Sequence, residues 1–374
     1  PIIRDSTLRE GVELPGVHLS LKEKLRIVRL LEKMNVNEIE IGMPYGMKDC
    51  IPLAESIKSE KLKIKTSALV LSYRSLWKEE IEMAACSKID RIEVLFPSFD
   101  ILLRLKNYYK IQKQDLPQFV EAKIAYAKKR LPRVGVGFVD ATRAGTPFLK
   151  QLAQKAQKAG ADRIIVYDTV GIATPQSITK TVCEMKKVVS IPMIVHCHND
   201  FGLASANSLA GIMAGAAGAD VVVNGLGDRG GNASFEQVVL ALEVLYGVRT
   251  GIKTEGIFKL SKLVEKMTGI RQSQVRPIAG EFTFLHSPVM HIYNAASKNY
   301  LAFEPFKPER VGAERKYAFS LPVDYSVALE PFYKKLKISP DKRQNAAILS
   351  NLRQKSKRGG LTEKQTFEII REHI

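Results

Sequence analysis

The chain has 374 residues, 45% of them hydrophobic, which is enough for one large core with a small appendage. No apolar run approaches the roughly 20 residues that a membrane-spanning helix needs, and Pro1–Glu10 lacks the profile of a secretory signal. Lys and Arg total 57 against 39 Asp and Glu, a net charge of +18, but the basic residues are diffuse (RLKNYYKIQK from Arg104, KKRLPR from Lys128, KLKISPDKRQ from Lys335) and no zinc-finger or RRM motif accompanies them. A solvated basic surface is therefore expected, with no nucleic acid and no membrane as partner; its field attracts polyanionic small molecules such as di- and tricarboxylates or coenzyme A. Four scattered cysteines (Cys50, Cys86, Cys183, Cys197) without CxxC spacing point to a reduced, cytoplasmic protein.

Short β-branched runs alternate with longer amphipathic segments. In chain order the runs are IIRD, NEIEIGM, KIKTSALVL, RIEVLF, RVGVGFVDA, RIIVYDT, IPMIVHCH and ADVVVNG. Segments such as LKEKLRIVRLLEKM and TPFLKQLAQKAQKAG lie between them. Buried apolar strands alternating with helices imply parallel βαβ units, and eight of them by about residue 225 predict an α/β fold, a (β/α)8 TIM barrel. A doubly wound open sheet is the alternative, but no GxGxxG turn follows the first strand. Residues 1–272 are read as the barrel domain. Residues 273–374 are read as a linker and a small, mostly helical C-terminal region, with helices starting near Ser326, Asp341 and Thr362.

The unusual polar residues fall just after the strands: Asp5, Arg9 and Glu10 after the first, Asp140 after the fifth, Asp168 and Thr169 after the sixth, His196 and His198 after the seventh, Asn224 and Asn232 after the eighth. Glu40 lies within the second. A barrel gathers the C-terminal ends of all its strands at one mouth, so these residues would converge. His196 and His198 are two apart in a strand, so both imidazoles face one side. With Glu10 they make a two-His, one-carboxylate set with open positions, as a catalytic metal site requires. Such a metal would chelate the carboxylate and ketone oxygen of a 2-oxo acid, and Arg9 would stabilise a developing alkoxide or enolate.

The segments DSTLREG, VYDTVGIATP, HCHNDFGLASANSLAGIMAGA and VNGLGDRGGNASFEQVVLAL resemble signatures of the acyl-CoA-dependent carboligases of the isopropylmalate and homocitrate synthase type, within the DRE-TIM metallolyases. The likeness continues through KLSKLVEKMTG and YLAFEPFKPERVGAERKY and covers most of the chain. VGFVDATRA and a short C-terminal region bring it nearest the nitrogen-fixation-type homocitrate synthases. The resemblance implies a homodimeric transferase that condenses acetyl-CoA with a 2-oxo acid, 2-oxoglutarate first, by Claisen-type addition and thioester hydrolysis. It implies a divalent metal (Zn, Mn, Mg, Co or Fe) on Glu10, His196 and His198, with Asn232 nearby. It implies Arg9, Glu13 and His291 as the catalytic group, His291 helping to deprotonate the acetyl-CoA methyl. Around the 2-oxo acid it implies Arg9, Thr169, Asp140, Arg143 and Glu40.

Several segments depart from that pattern. Glu13 replaces the glutamine of the usual GEQ, Val139 replaces an acidic residue, and HSPVMH keeps His286 and His291 but loses the Glu-Ser-Gly between them. Phe303 stands where a tyrosine is usual, and SLPVD (Ser320–Asp324) replaces GKHSG. The metal half is intact while the acyl-donor half is altered. Two further readings follow: a carbon–carbon lyase or aldolase on the same metal site without acetyl-CoA, and a basic binding protein that has lost turnover. For a distal carboxylate on the 2-oxo acid, Arg74, Arg104 and Arg143 are the candidate partners.

Overall fold

The computed structural model describes residues 1–103, 112–357 and 359–374. Eight parallel strands close into a barrel in sequence order: β1 (Ile2–Asp5), β2 (Glu38–Glu40), β3 (Lys65–Leu71), β4 (Arg91–Pro97), β5 (Val134–Val139), β6 (Arg163–Asp168), β7 (Met193–Cys197) and β8 (Gly218–Val221). Each of the eight runs read from the sequence overlaps one of them, with only Pro97 of β4 and Gly218 of β8 falling outside. The barrel is shut by β1 pairing with β8, which sets Arg4 opposite Asp220. Helices cover the outside, and their ends are written in the sequence. Ser20 caps Leu21–Lys33 in a reciprocal box with Glu23, and Thr174 does the same for Pro175–Lys186 with Ser177. No described helix is long and apolar enough to cross a membrane.

The barrel interior is unusually polar. Side chains alternate along a strand, so Arg4, Glu38, Glu40, Ser67, Glu93, Arg163 and Asp220 share the inner face with Ile165 and Ile194. Arg163 forks onto Glu38 at 2.7 and 2.9 Å and also holds Glu93. Gly135 makes room for this network, because a Cβ there would lie 1.7 Å from Glu93 Oε2. Burying paired charges seldom stabilises a fold beyond what apolar packing achieves. The network therefore calls for an explanation in function.

The chain divides into two compact units, Pro1–Lys253 with Leu260–Ile270, and Thr254–Lys259 with Arg271–Ile374. The second has its own three-stranded sheet in the order β11-β10-β9, from β9 (Leu285–His286), β10 (Lys316–Tyr317) and β11 (Leu361–Thr362). Helices Ser326–Leu336, Lys342–Ser356 and Glu363–Arg371 follow, starting where the sequence reading put them. Its core gathers Tyr317, Phe319, Tyr325, Phe332, Ile348 and Leu352.

Candidate metal centre

The end of β1 turns sharply because the Asp5 carboxylate accepts from the Thr7 backbone N–H (3.1 Å) and hydroxyl (2.9 Å). Thr7 Oγ1 also accepts from Val223 N–H at 2.9 Å, tying this turn to the end of β8. A short 3-10 turn then carries Glu10 to the barrel mouth. Across from it, His196 stands near the end of β7 and His198 follows just after it. Glu10 Oε1 lies 3.1 Å from His196 Nε2 and 3.9 Å from His198 Nε2. All three residues are buried, and their ligand atoms lie within 4.8 Å of one another.

His196 and Glu10 are each held by a neighbour. His196 Nδ1 lies 2.9 Å from Asp220 Oδ2. Asn232 Nδ2 lies 3.0 Å from His196 Nε2, and Gly227 leaves space for that amide, since a Cβ there would sit 1.9 Å from Asn232 Oδ1. Arg9 donates to Glu10 and, through Nε, to Glu40 Oε1 at 3.1 Å. Glu40 accepts from Ser6 Oγ as well, at 2.6 Å.

The electrostatics follow from this packing. Burial opposes the charge on Glu10, but Arg9 and His196 outweigh it and hold the carboxyl well below the usual carboxylate range. Burial would strip His196 of its proton, yet Asp220 and Glu10 push it up to about 9. Burial and the adjacent His196 push His198 down to about 3. One imidazole is thus a cation and the other neutral, a positive charge that a divalent ion would replace. Glu13 is exposed overall, but local desolvation raises its carboxyl to about 7 against the pull of Arg9.

The residues fit a metal. His198 Nδ1 and Asn232 Oδ1 are buried without a hydrogen-bond partner among the described residues, a condition rare for buried polar atoms. One carboxylate and two imidazoles suit a borderline divalent ion and leave positions open for a chelating ligand.

Other expected residues are placed differently. Thr169 Oγ1 accepts from the Asp140 backbone N–H at 2.8 Å. Arg143 is clamped on Asp140, with Nε 2.9 and 3.0 Å from its two oxygens, and lies over the Phe99 ring. Arg74 pairs with Glu80 at 3.4 Å, and Arg104 lies outside the described residues. His291 belongs to the second unit, where it stacks on Phe303 with ring centroids 3.8 Å apart. In the same unit His286 Nε2 lies 2.8 Å from Glu304, which Arg315 grips with two donors. Sequence reasoning missed Arg4, Asp220 and Tyr167. The available signal was a charge or a phenol inside an otherwise apolar strand.

The wall formed by β3 to β6 differs from the metal wall. Tyr167 is in register with His196, with ring centroids 4.5 Å apart. It clusters with Leu69, Leu95, Ile165 and Ile194, and half-buried Met43, Leu71 and Val139 pack against this group. Gly137 admits the phenol, because a Cβ there would lie 2.7 Å from Tyr167 Cε2 and 2.3 Å from Leu95 Cδ2. The Tyr167 hydroxyl is buried without a hydrogen-bond partner among the described residues.

Comparison with known proteins places this geometry. Homocitrate synthase AksA of Methanocaldococcus jannaschii is 34% identical, over all of this chain and 90% of its own length. The 2-isopropylmalate synthase of the same organism is 38% identical over 84% of this chain and 59% of its own. The chain spans about three fifths of the length of that synthase and of two of the probable isopropylmalate synthases it matches. Among solved structures, hydroxymethylglutaryl-CoA lyase from Pseudomonas aeruginosa superposes with a TM-score of 0.62 at 19% identity, covering 72% of this chain and 93% of that one, a likeness of fold. The family model described as HMGL-like matches residues 1–264, a span that contains the whole barrel and the Glu10, His196 and His198 set; the chain belongs to that family.

Proposed function

We propose that the chain is a divalent-metal-dependent acyltransferase that condenses acetyl-CoA with a 2-oxo acid by Claisen-type addition and thioester hydrolysis. The observation that carries this reading is the convergence of Glu10, His196 and His198 with Arg9 beside them. Its sequence relatives at a third or more identity are named as homocitrate and isopropylmalate synthases, which favours condensation over the lyase or aldolase alternative.

In this reading Glu10, His196 and His198 hold the metal, with Asn232 completing the set. The ion supplies Lewis acidity toward the carbonyl of the acceptor. Arg9, fixed by Glu40, neutralises negative charge growing on the acceptor oxygen. Thr169, with Asp140 and Arg143 behind it, borders the acceptor carboxylate. Glu13, with a carboxyl near 7, can give or take a proton at neutral pH. His291 serves the acetyl-CoA methyl. Residues 1–272 form the catalytic domain, 273–374 carry His291, and the working assembly is a homodimer in the cytoplasm.

Homocitrate synthase relatives support 2-oxoglutarate as the acceptor. One observation favours a second class, a 2-oxo acid with an apolar side chain. The wall beside the histidines is built from Met43, Leu71, Leu95, Val139 and Tyr167, while Arg74 and Arg143 are already paired. Thiol release from acetyl-CoA, followed in metal-replete protein across a panel of 2-oxo acids, tests both. Release with none of them overturns the condensation reading.

A further inference from the structure

Arg4 is a fully buried arginine in the first strand of the barrel, and it touches neither the metal ligands nor the mouth. Its guanidinium forks onto Asp220, Nε to Oδ1 at 2.6 Å and Nη2 to Oδ2 at 2.5 Å, across the seam where β1 meets β8. The same group lies 4.0 Å from Glu40 and 3.7 Å from Glu93. Asp220 Oδ2 in turn lies 2.9 Å from His196 Nδ1, and Glu40 holds Arg9.

We propose that Arg4 and Asp220 are positioning residues that preset the metal ligand His196 and, through Glu40, the guanidinium of Arg9. The proposal rests on the metal reading above. A carboxylate offers only acceptors, so its partner nitrogen on His196 must carry a proton. With Nδ1 committed to Asp220, Nε2, 3.1 Å from Glu10, is the ring nitrogen turned toward the other ligands and the one that would meet an ion. Arg4 occupies both oxygens of Asp220 in a planar fork, which fixes the carboxylate and with it the plane of the imidazole. Outer partners of this kind typically govern metal affinity by 10- to 100-fold.

A structural role alone does not account for the arrangement. A buried ion pair can usually be exchanged for apolar side chains of similar size at no loss of stability. Here one cation instead joins the carboxylate that orients a metal ligand to the carboxylate that orients Arg9. Ser67 Oγ, 3.5 Å from Nη1, adds a further contact that keeps the guanidinium in place.

The test compares wild type with Arg4→Met/Asp220→Leu, Asp220→Asn and His196→Ala. It measures Co2+ and Zn2+ affinity by chelator competition, the visible spectrum of the Co2+ form, and the circular dichroism and melting temperature of each protein. The expected result is a folded double variant whose metal affinity falls 10- to 100-fold and whose Co2+ bands shift. Asp220→Asn, which keeps the volume and one acceptor, should lose about 10-fold, and it carries the test if the double variant does not fold. Wild-type affinity and an unchanged Co2+ spectrum in Asp220→Asn and in any folded double variant would overturn the positioning role while leaving the metal site standing. Failure of the wild-type protein to bind one ion per chain, or equal binding by His196→Ala, would instead remove the metal reading and this proposal with it.

Discussion

The two walls of one barrel are built on opposite principles. On the β1, β7 and β8 side charged groups grip one another: Arg4 holds Asp220, Asp220 holds His196, and Arg9 holds Glu10. Toward the mouth on the β3 to β6 side Leu71, Leu95, Val139 and Tyr167 present apolar surface, and within this cluster the Tyr167 hydroxyl has no partner among the described residues. Fixed charge suits the part of a site that performs one chemistry, because preorganised groups need not reorient during reaction. An apolar wall suits selection among ligands by size, where each methylene changes discrimination only about 10- to 200-fold.

The sharpest way to break this contrast is to remove a metal ligand. His196→Ala should abolish stoichiometric metal and all acyl transfer while the barrel stays folded, as read by metal analysis beside circular dichroism. Metal retained at wild-type levels would show that the gripped wall serves some other purpose. Arg9→Gln comes next: metal should remain, and kcat should fall about 100- to 1000-fold, the cost of losing one donor to a developing oxyanion. An unchanged kcat would take Arg9 out of the chemistry.

On the apolar wall, Gly137→Ala forces a Cβ to within 2.3 Å of Leu95 and 2.7 Å of Tyr167. Overpacking of this kind costs about 1–3 kcal/mol, so the melting temperature should drop and acceptor preference should shift; an unchanged melting temperature would mean that the wall is soft. Glu13 offers the smallest effect and a pH signature. Its carboxyl, raised from 4.5 to about 7 when folded, disfavours the folded state increasingly as pH climbs between those values. In metal-free protein, Glu13→Gln should therefore gain stability over wild type as pH rises from 4.5 to 8, and the gain should vanish below pH 4.5. A pH-independent difference would contradict a raised carboxyl.

Much of this was legible in the sequence because barrels translate chain order into geometry. Strand–helix alternation gave eight strands, and residues just past strand ends, Glu10, His196 and His198, met at one mouth. The Arg4–Asp220 pair was not legible, because its partners are 216 residues apart and adjacent only once the first strand meets the last. Arg143 illustrates the converse. Its sequence neighbourhood suggested a free cation for an acceptor carboxylate, but Asp140, three residues earlier in a left-handed conformation with φ 63°, claims it. Local sequence shows which charges exist; the folded backbone shows which are already spent.

The seam between β1 and β8 has a consequence for how the molecule matures. Glu10 lies near one end of the barrel's sequence and His196, His198 and Asn232 near the other. A growing chain therefore has no metal site until the eighth strand has been made and docked. Joining the ends carries the entropic cost of closing a very long loop, and an ion that binds only the closed form offsets that cost by mass action. Added metal should thus slow opening of the seam in particular, and protease resistance of β1 should rise with metal concentration before that of the strands in the middle of the sequence.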